Sequence, residues 1–133
     1  MFFFHVHWRD SIDVYTLNTP HSFVFDLPSV LTLEADKWEV ALIDFEFQST
    51  SEDPIYVLTD ICEDSYIHGV LLPVLQRLDT KSGRIPFPQF IKVCKQEVQS
   101  IKIQIKNRSM KDVQLRDFYC TLCLRQTALF EHV

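Results

Sequence analysis

The chain has 133 residues and is predicted to form one domain, 1–133, which at this length can bury a core without disulfides or a bound metal. Apolar residues make up 47% of it, including eleven Phe, four Tyr and two Trp, and this composition excludes a disordered tail. Glycine occurs only at Gly69 and Gly83, so phosphate-binding loops that need several glycines are excluded too.

The charge pattern argues against direct binding to nucleic acid. The formal net charge is −5, and the basic residues are dispersed along the chain. The nearest approach to a basic cluster, which Glu97 interrupts, consists of Lys92, Lys95, Lys102 and Lys106. We therefore expect no nucleic-acid contact.

The N-terminal residues begin as an apolar run, but His5 and His7 break it and no small-residue cleavage site follows. No stretch of the sequence is long and apolar enough to predict a membrane span. We therefore expect a protein that is not secreted, with its four cysteines reduced in a cytosolic or nuclear setting.

The first two predicted elements are strands with one apolar face each. In residues 2–9 the positions alternate, with His5, His7 and Arg9 on the polar side. The apolar side of that strand carries Phe2, Phe4, Val6 and Trp8. In residues 21–28 the same period of two brings three apolar side chains together, Phe23, Phe25 and Leu27. Such alternation is typical of half-buried strands.

Residues 37–47 change their apolar side partway along. Val40 and Leu42 share a face that continues as Asp44 and Glu46, whereas the opposite face becomes apolar from Ile43 onward. One extra residue in a strand changes the phase in this way, so we predict a β-bulge near Ile43 or a strand that crosses from interior to edge. An edge position also accounts for the two carboxylates.

The later predicted elements are strands as well. Residues 54–62 and 90–94 are rich in β-branched side chains, and in residues 98–107 three isoleucines alternate strictly with polar residues. Residues 66–78 fit either a leucine-striped helix or strands. Gly69 and Pro73 favour a strand with a turn, because proline disrupts a helix interior.

Turn-rich segments separate these runs, notably residues 79–88 and 107–112. About eight short strands without a good helix indicate an all-β fold, either a closed barrel or a two-sheet sandwich. The preferred prediction is a single jelly-roll β-sandwich of about eight antiparallel strands.

Cys120 and Cys123 form a Cys-x-x-Cys, the spacing found in zinc and redox sites. The surrounding residues alternate as in a strand, which would separate the two thiols by roughly 10 Å on opposite faces. Neither a disulfide nor a shared zinc ion tolerates that separation. We predict that Cys120 faces the core and that Cys123 lies on the opposite face beside Arg125.

His5 and His7 share one face of the first strand and could chelate a metal, as in a cupin-like metalloenzyme. That chemistry needs further ligands, for which the distant candidates are His21, His68 and His132. The alternative is two polar residues on a solvated face, and this is the one adopted. No nucleophile with an identifiable base is present, and Asp44 and Glu46 lack an evident partner, so we expect no catalytic residues, cofactor or metal.

Several segments, taken in order, resemble one family. "LNTPHSFVFDLPSVLTLEADKWEVALIDFEF" has an Asn turn, a Leu-Pro and a Trp-Glu-Val-Ala-Leu strand start, and "YVLTDICEDSYIHGVLLPVLQRLD" has a Tyr/Val strand and a Leu-Leu leading to Arg. "FPQFIKVCKQEVQSIKIQIKN" and "FYCTLCLR" resemble its closing hairpin. Over residues 17–126 the chain resembles the minor capsid, or penton, proteins of Polinton (Maverick) elements and related adinto-like DNA viruses.

The resemblance implies a structural virion protein rather than an enzyme. It implies a single jelly roll that assembles as a homopentamer at the vertices of an icosahedral shell, beside a double jelly-roll major capsid protein. It also implies a protein made in the host cytoplasm or nucleus and located in the virion. The alternatives are a small carbohydrate- or protein-binding jelly roll and the cupin-like metalloenzyme based on His5 and His7.

Overall fold

The structure, a computed structural model, describes residues 1–34 and 37–127, and it is built from antiparallel strands. The strands are β1 (Phe2–His7), β2 (Ser22–Thr32), β3 (Trp38–Ser49), β4 (Ile55–Thr59), β5 (Ser65–Ile67), β6 (Val70–Leu72), β7 (Val74–Leu78), β8 (Ser82–Arg84), β9 (Ile91–Lys92), β10 (Glu97–Lys106) and β11 (Leu115–Gln126). The residues described contain no helix that is long and apolar enough to cross a membrane.

Two sheets contain most of the strands. Sheet A has the order β1-β11-β3-β8, with β9 also paired to β3, and sheet B has the order β2-β10-β4-β7. A separate hairpin consists of β5 and β6. Buried side chains of both sheets belong to one apolar cluster, so the sheets pack face to face. The predicted all-β, antiparallel β-sandwich is confirmed.

The core follows the alternation in the sequence. The inward side chains of β10 are fully buried, as Ile101, Ile103 and Ile105 are each 0% exposed. On the neighbouring β2 the inward positions are Phe23, Phe25 and Leu27, and all three are buried. At the middle of the sandwich the ring of Phe118 on β11 lies 6.0 Å from that of Phe23 and 6.4 Å from that of Phe47. This aromatic group joins the two sheets.

The predicted bulge is present in β3. Thr121 of β11 is opposite Asp44, but the next residue, Leu122, is opposite Leu42, so Ile43 has no partner in the β11 ladder. The extra residue turns Phe45 into the same core that contains Leu42. The bulge therefore lets one long strand remain buried while its apolar pattern changes phase.

The ambiguous segment 66–78 forms strands, as predicted. A two-residue turn at His68 (φ 48°) and Gly69 (φ 86°) joins β5 to β6. Two left-handed residues in succession form the type of turn that matches the twist of a tight hairpin. Pro73 separates β6 from β7.

Two expectations were wrong in detail. The described residues contain eleven strands instead of about eight, because a segment assigned to turns forms β8 and residues 65–78 form three short strands. Asp44 and Glu46 do not lie at an edge, because β8 pairs with β3 at these residues and β11 pairs on the other side. Strand β8 was not predicted because segment 79–88 has the composition of a turn.

Candidate assembly surface

Among the strands that the structure describes, β1 lies at one edge of sheet A and pairs with β11 alone. Its sequence, FFFHVH, contains no Lys, Arg, Asp, Glu or Pro, and its register with β11 is continuous. Phe2 and Phe3 remain 41% and 51% exposed. Proteins usually protect edge strands with charge, proline or bulges. An edge without these devices is a candidate association site.

A groove of about 370 Å³ lies beside this edge, between β1 and β2. Its apolar walls come from both sheets, from Phe3, Phe4, Val6, Phe25 and Leu27. Asp10 and Asp26 place carboxylates along it. Asp10 accepts a hydrogen bond from the backbone N–H of His7 (2.9 Å) and Asp26 accepts one from the Tyr15 hydroxyl (2.5 Å). Among the described residues neither carboxylate has a basic partner, so the groove is acidic.

The opposite edge of sheet A is formed by β8 and the loop that follows it. Arg84 is exposed, and no acidic group of the described chain lies within 4.0 Å of it. Phe87 is 93% exposed. The loop is anchored at both ends, since the Ile85 N–H donates to the Ile43 carbonyl (2.8 Å) and the Phe90 ring lies under the Arg125 guanidinium. Sheet A thus has two chemically different edges.

The outer face of sheet A near β1 carries a small polar group. His5 Nδ1 lies 3.0 Å from Thr121 Oγ1, and the Tyr119 hydroxyl lies 3.4 Å from both of these atoms. Thr121 is 2% exposed, so its hydroxyl is not accessible as a nucleophile. The three side chains satisfy one another's hydrogen bonds and hold β1 to β11.

A second polar contact fixes the end of β1. Asp117 Oδ1 accepts hydrogen bonds from Trp8 Nε1 (3.0 Å) and pairs with His7 Nε2 (2.5 Å). Burial opposes ionisation of Asp117, but the hydrogen bonds from His7 and Trp8 and the charge of His7 outweigh it, so the pKa of Asp117 lies below its usual value. His7 is therefore engaged in a structural pair.

This pair predicts a specific acid sensitivity. The pKa of Asp117 is lowered in the folded state, so the ionised carboxylate stabilises the fold. This stabilisation is complete at pH values above the usual carboxyl pKa of 3.8 and is lost as the pH falls through the pKa of the folded state. The side chains of His7 and Asp117 are 33% and 42% exposed, so solvent screening limits the effect to at most about 1 kcal/mol. Melting temperatures measured between about pH 6 and pH 3 should fall less in Asp117→Asn than in the wild type.

The matched control is Asp13→Asn, which removes an exposed carboxylate with no basic group within 4.0 Å in the described residues. Its melting temperature should follow the wild-type pH curve. An Asp117→Asn curve that coincides with the wild type would contradict the assigned pair.

The structure does not bring the predicted histidines together. His5 and His7 share the outer face of β1, but His21 lies 3.9 Å from Asp112 and the His68 ring meets the edge of Tyr56. His132 lies outside the described residues. Within residues 1–34 and 37–127 no group of three or more His, Cys, Asp or Glu is arranged to hold a metal ion. A cupin-like site on His5 and His7 has no support in this geometry.

The two cysteines of the Cys-x-x-Cys both lie in β11, as predicted. Cys120 is 0% exposed in the core with Phe118, Leu122 and Leu124, while Cys123 is opposite Phe3 and Ala41 in the ladders on the outer side. Burial raises the pKa of both thiols, and it raises the pKa of Cys62 to about 12. Protonated, buried thiols are unreactive.

Asp44 is the carboxylate that the sequence singled out, and its environment is unusual. Its Oδ1 atom is buried, and no hydrogen-bond partner for it lies in the part of the chain that is described. On the outer face of sheet A it stands in register between Thr121 and Arg84. The residue is thus inside the sheet and contributes a negative charge near the β8 edge.

Two of the four lysines of the interrupted basic cluster are neutralised by carboxylates. Lys95 lies 3.1 Å from Asp60, and Lys106 lies 2.6 Å from Asp112. The segment therefore does not present the concentrated positive charge that phosphate binding requires.

The sequence patterns did not predict the exposed position of Phe87 or the groove. A signal for Phe87 was present, because an apolar residue between Pro86 and Pro88 cannot enter a sheet ladder and has no obvious place in the core. The groove left no local signal, since it depends on β1 and β2 meeting at the same side of the sandwich.

Comparison with protein-family models, with curated proteins and with solved structures finds no match to this chain.

Proposed function

We propose that this chain is a single jelly roll. The observation that supports it is the nested pairing of strands: β1 with β11, β2 with β10, β3 with β8, and β4 with β7. A long antiparallel ribbon of four such pairs, folded over on itself, gives the two observed sheets when β11 joins β3 and β10 joins β4. This is the wrapped ribbon of a jelly roll, in which two Greek keys form two four-stranded sheets.

We further propose that the protein is a penton, the vertex capsomer of an icosahedral Polinton-like DNA virus. Jelly rolls of this size occur in viral capsids, in lectins and in cupins. The unprotected edge at β1 favours the capsid role, because exposed apolar edges indicate association. The segments that resemble the Polinton penton family agree with it. The function is structural and involves no reaction.

In this proposal five copies form a ring at each vertex, beside a double jelly-roll major capsid protein. A ring requires each copy to present two different, complementary patches. The two edges of sheet A would meet that requirement. The β1 edge, with its groove, is apolar and acidic, whereas the β8 edge and the loop after it carry Arg84 and Phe87. The protein would be made in the host cytoplasm or nucleus and would function in the virion.

Co-expression with the major capsid protein of a Polinton-like virus tests the proposal. Electron cryo-microscopy of the resulting shells should reveal this chain at the fivefold vertices, five copies at each. Shells that form with empty vertices while the chain stays soluble would contradict the capsid role. Binding of the soluble monomer to glycans would then favour the carbohydrate-binding alternative.

A further inference from the structure

We propose that copies of this chain associate head to tail, with Phe87 and Arg84 of one copy docked in the groove between β1 and β2 of the next. The partner is thus a second copy of the chain. This inference rests on the proposed function in one respect, because it assigns the contact that would close the ring. It goes further by naming the residues of the two edges that meet in the contact.

Phe87 has the properties of an interface anchor. It is 93% exposed, so its ring loses contact with water only if another molecule covers it. Aromatic side chains that fill a partner's pocket commonly dominate binding energy. The flanking Pro86 and Pro88 restrict the backbone, and the loop is held at Ile85 and Phe90. A side chain presented by a restrained loop loses little entropy on binding.

The groove matches this anchor in size and chemistry. Its volume is about 370 Å³, whereas an apolar cavity of roughly 150 Å³ already accepts a benzene ring. Phe4, whose side chain faces inward with Val6, supplies aromatic surface to one wall, and Phe25 and Leu27 belong to the other. An inserted phenyl ring would therefore meet apolar side chains from both sheets.

The charges of the two patches are complementary. Asp10 and Asp26 line the groove and form no ion pair within 4.0 Å in the described chain. Arg84 stands three residues before Phe87, and although it is in register with Asp44 it forms no ion pair within 4.0 Å there either. Arginine binds carboxylates with two parallel hydrogen bonds, so its approach to either aspartate adds direction to the contact. The chain itself supplies both the groove and the group that neutralises it.

The arrangement of the patches determines the kind of assembly. They lie at opposite edges of the same sheet, β1 and β8, so a copy that fills its neighbour's groove keeps its own groove open. Such a contact is heterologous and forms rings when the rotation closes. A twofold dimer through β1 alone would instead leave Phe87 uncovered.

Three variants test the contact by sedimentation velocity. Phe87→Glu removes the anchor and should weaken self-association at least about thirtyfold, the loss expected for an aromatic hot spot. Phe4→Glu places a charge in the groove wall and should do the same. Leu71→Glu alters a residue that is 66% exposed on the β5–β6 hairpin, and it should associate as the wild type does. Circular dichroism and melting temperature confirm that each variant folds.

Mixing the two blocked variants gives the sharpest outcome. Phe87→Glu retains an open groove and Phe4→Glu retains an intact anchor, so an equal mixture should form a one-to-one dimer although neither variant associates alone. The two remaining patches in that dimer are both blocked, and growth stops there. A mixture that stays monomeric while each single variant is folded would overturn the head-to-tail contact.

A charge exchange checks the polar half of the contact. Arg84→Asp alone and Asp26→Arg alone should each weaken association, and the double variant should regain most of the lost affinity. Failure of the folded double variant to recover any affinity would overturn the pairing of these two charges.

The results separate this inference from the proposed function. Rings that persist in Phe87→Glu and enter shells would overturn the contact and leave the capsid role in place. Pairing that depends on Phe87, without entry into any shell, would support the contact and contradict the capsid role. A wild-type chain that remains monomeric at every concentration would overturn the contact.

Discussion

Replacing Phe118 with alanine is expected to lower the free energy of unfolding by about 4 kcal/mol, within the range for burying and then deleting a large aromatic side chain. Phe118 is 0% exposed, and its ring packs against Phe23 of sheet B and Phe47 of sheet A. The change removes apolar contact area from both sheets and leaves a cavity between them. Guanidinium denaturation at neutral pH measures the loss, and the slope of the transition should not change.

The control for this experiment is Leu17→Ala. Leu17 is 92% exposed, so its truncation should change stability by no more than about 0.5 kcal/mol. A Phe118→Ala protein that loses less than about 1 kcal/mol would contradict an aromatic group shared by the two sheets.

Inserting one alanine between Asp44 and Phe45 is expected to have a still larger effect and to prevent folding. The pairing of β3 with β11 is continuous from Asp44 to Phe47, so an added residue shifts one half of the strand by one position against β11. A shift of one residue moves every side chain of that half to the other face of the sheet. Exposing Phe45 and Phe47 in this way would cost several kcal/mol each, which together approach the whole stability of a typical domain.

Deleting Ile43 is the matched control, because it removes the extra residue of the bulge and leaves Leu42 opposite Leu122 and Asp44 opposite Thr121. We expect the deletion variant to fold with a loss of about 1 to 2 kcal/mol, while the insertion gives a circular dichroism spectrum of unfolded chain. An insertion variant with native spectrum and near-native melting temperature would show that the pairing with β11 does not set the register of β3.

The strands could be predicted from the sequence because their burial alternates over several residues. In β10 the isoleucines mark the inner face without ambiguity, and the change of phase near Ile43 marks the bulge. These signals are local, since each depends only on neighbours along the same strand. The turn at His68 and Gly69 was recognisable for the same reason.

The order of the strands and the short strand β8 could not be predicted from local patterns. Ser82, Gly83 and Arg84 have the composition of a turn, and they become a strand only because β3 offers an unpaired edge at Asp44–Glu46. Secondary structure of this kind is imposed by tertiary pairing. The same contact moved Asp44 from the expected edge to the inside of the sheet.

The candidate assembly surface could not be predicted either, because it also depends on tertiary structure. The spacing of His5 and His7 suits metal binding, but in the structure His5 contacts Thr121 and His7 pairs with Asp117. The groove depends on residues of β1 and β2 whose relative position follows from the fold. For Phe87 the sequence did contain a signal, because the prolines on both sides of it are unsuited to a sheet ladder.

In the proposed assembly, identical chains close into a ring through the two unlike edges of sheet A. Native mass spectrometry of the purified full chain at neutral pH tests this most directly. Five copies of the 15.7 kDa chain predict a species of about 79 kDa that disappears in Phe87→Glu and persists in Leu71→Glu. A 15.7 kDa monomer at all concentrations, or a pentamer that Phe87→Glu leaves intact, would contradict it.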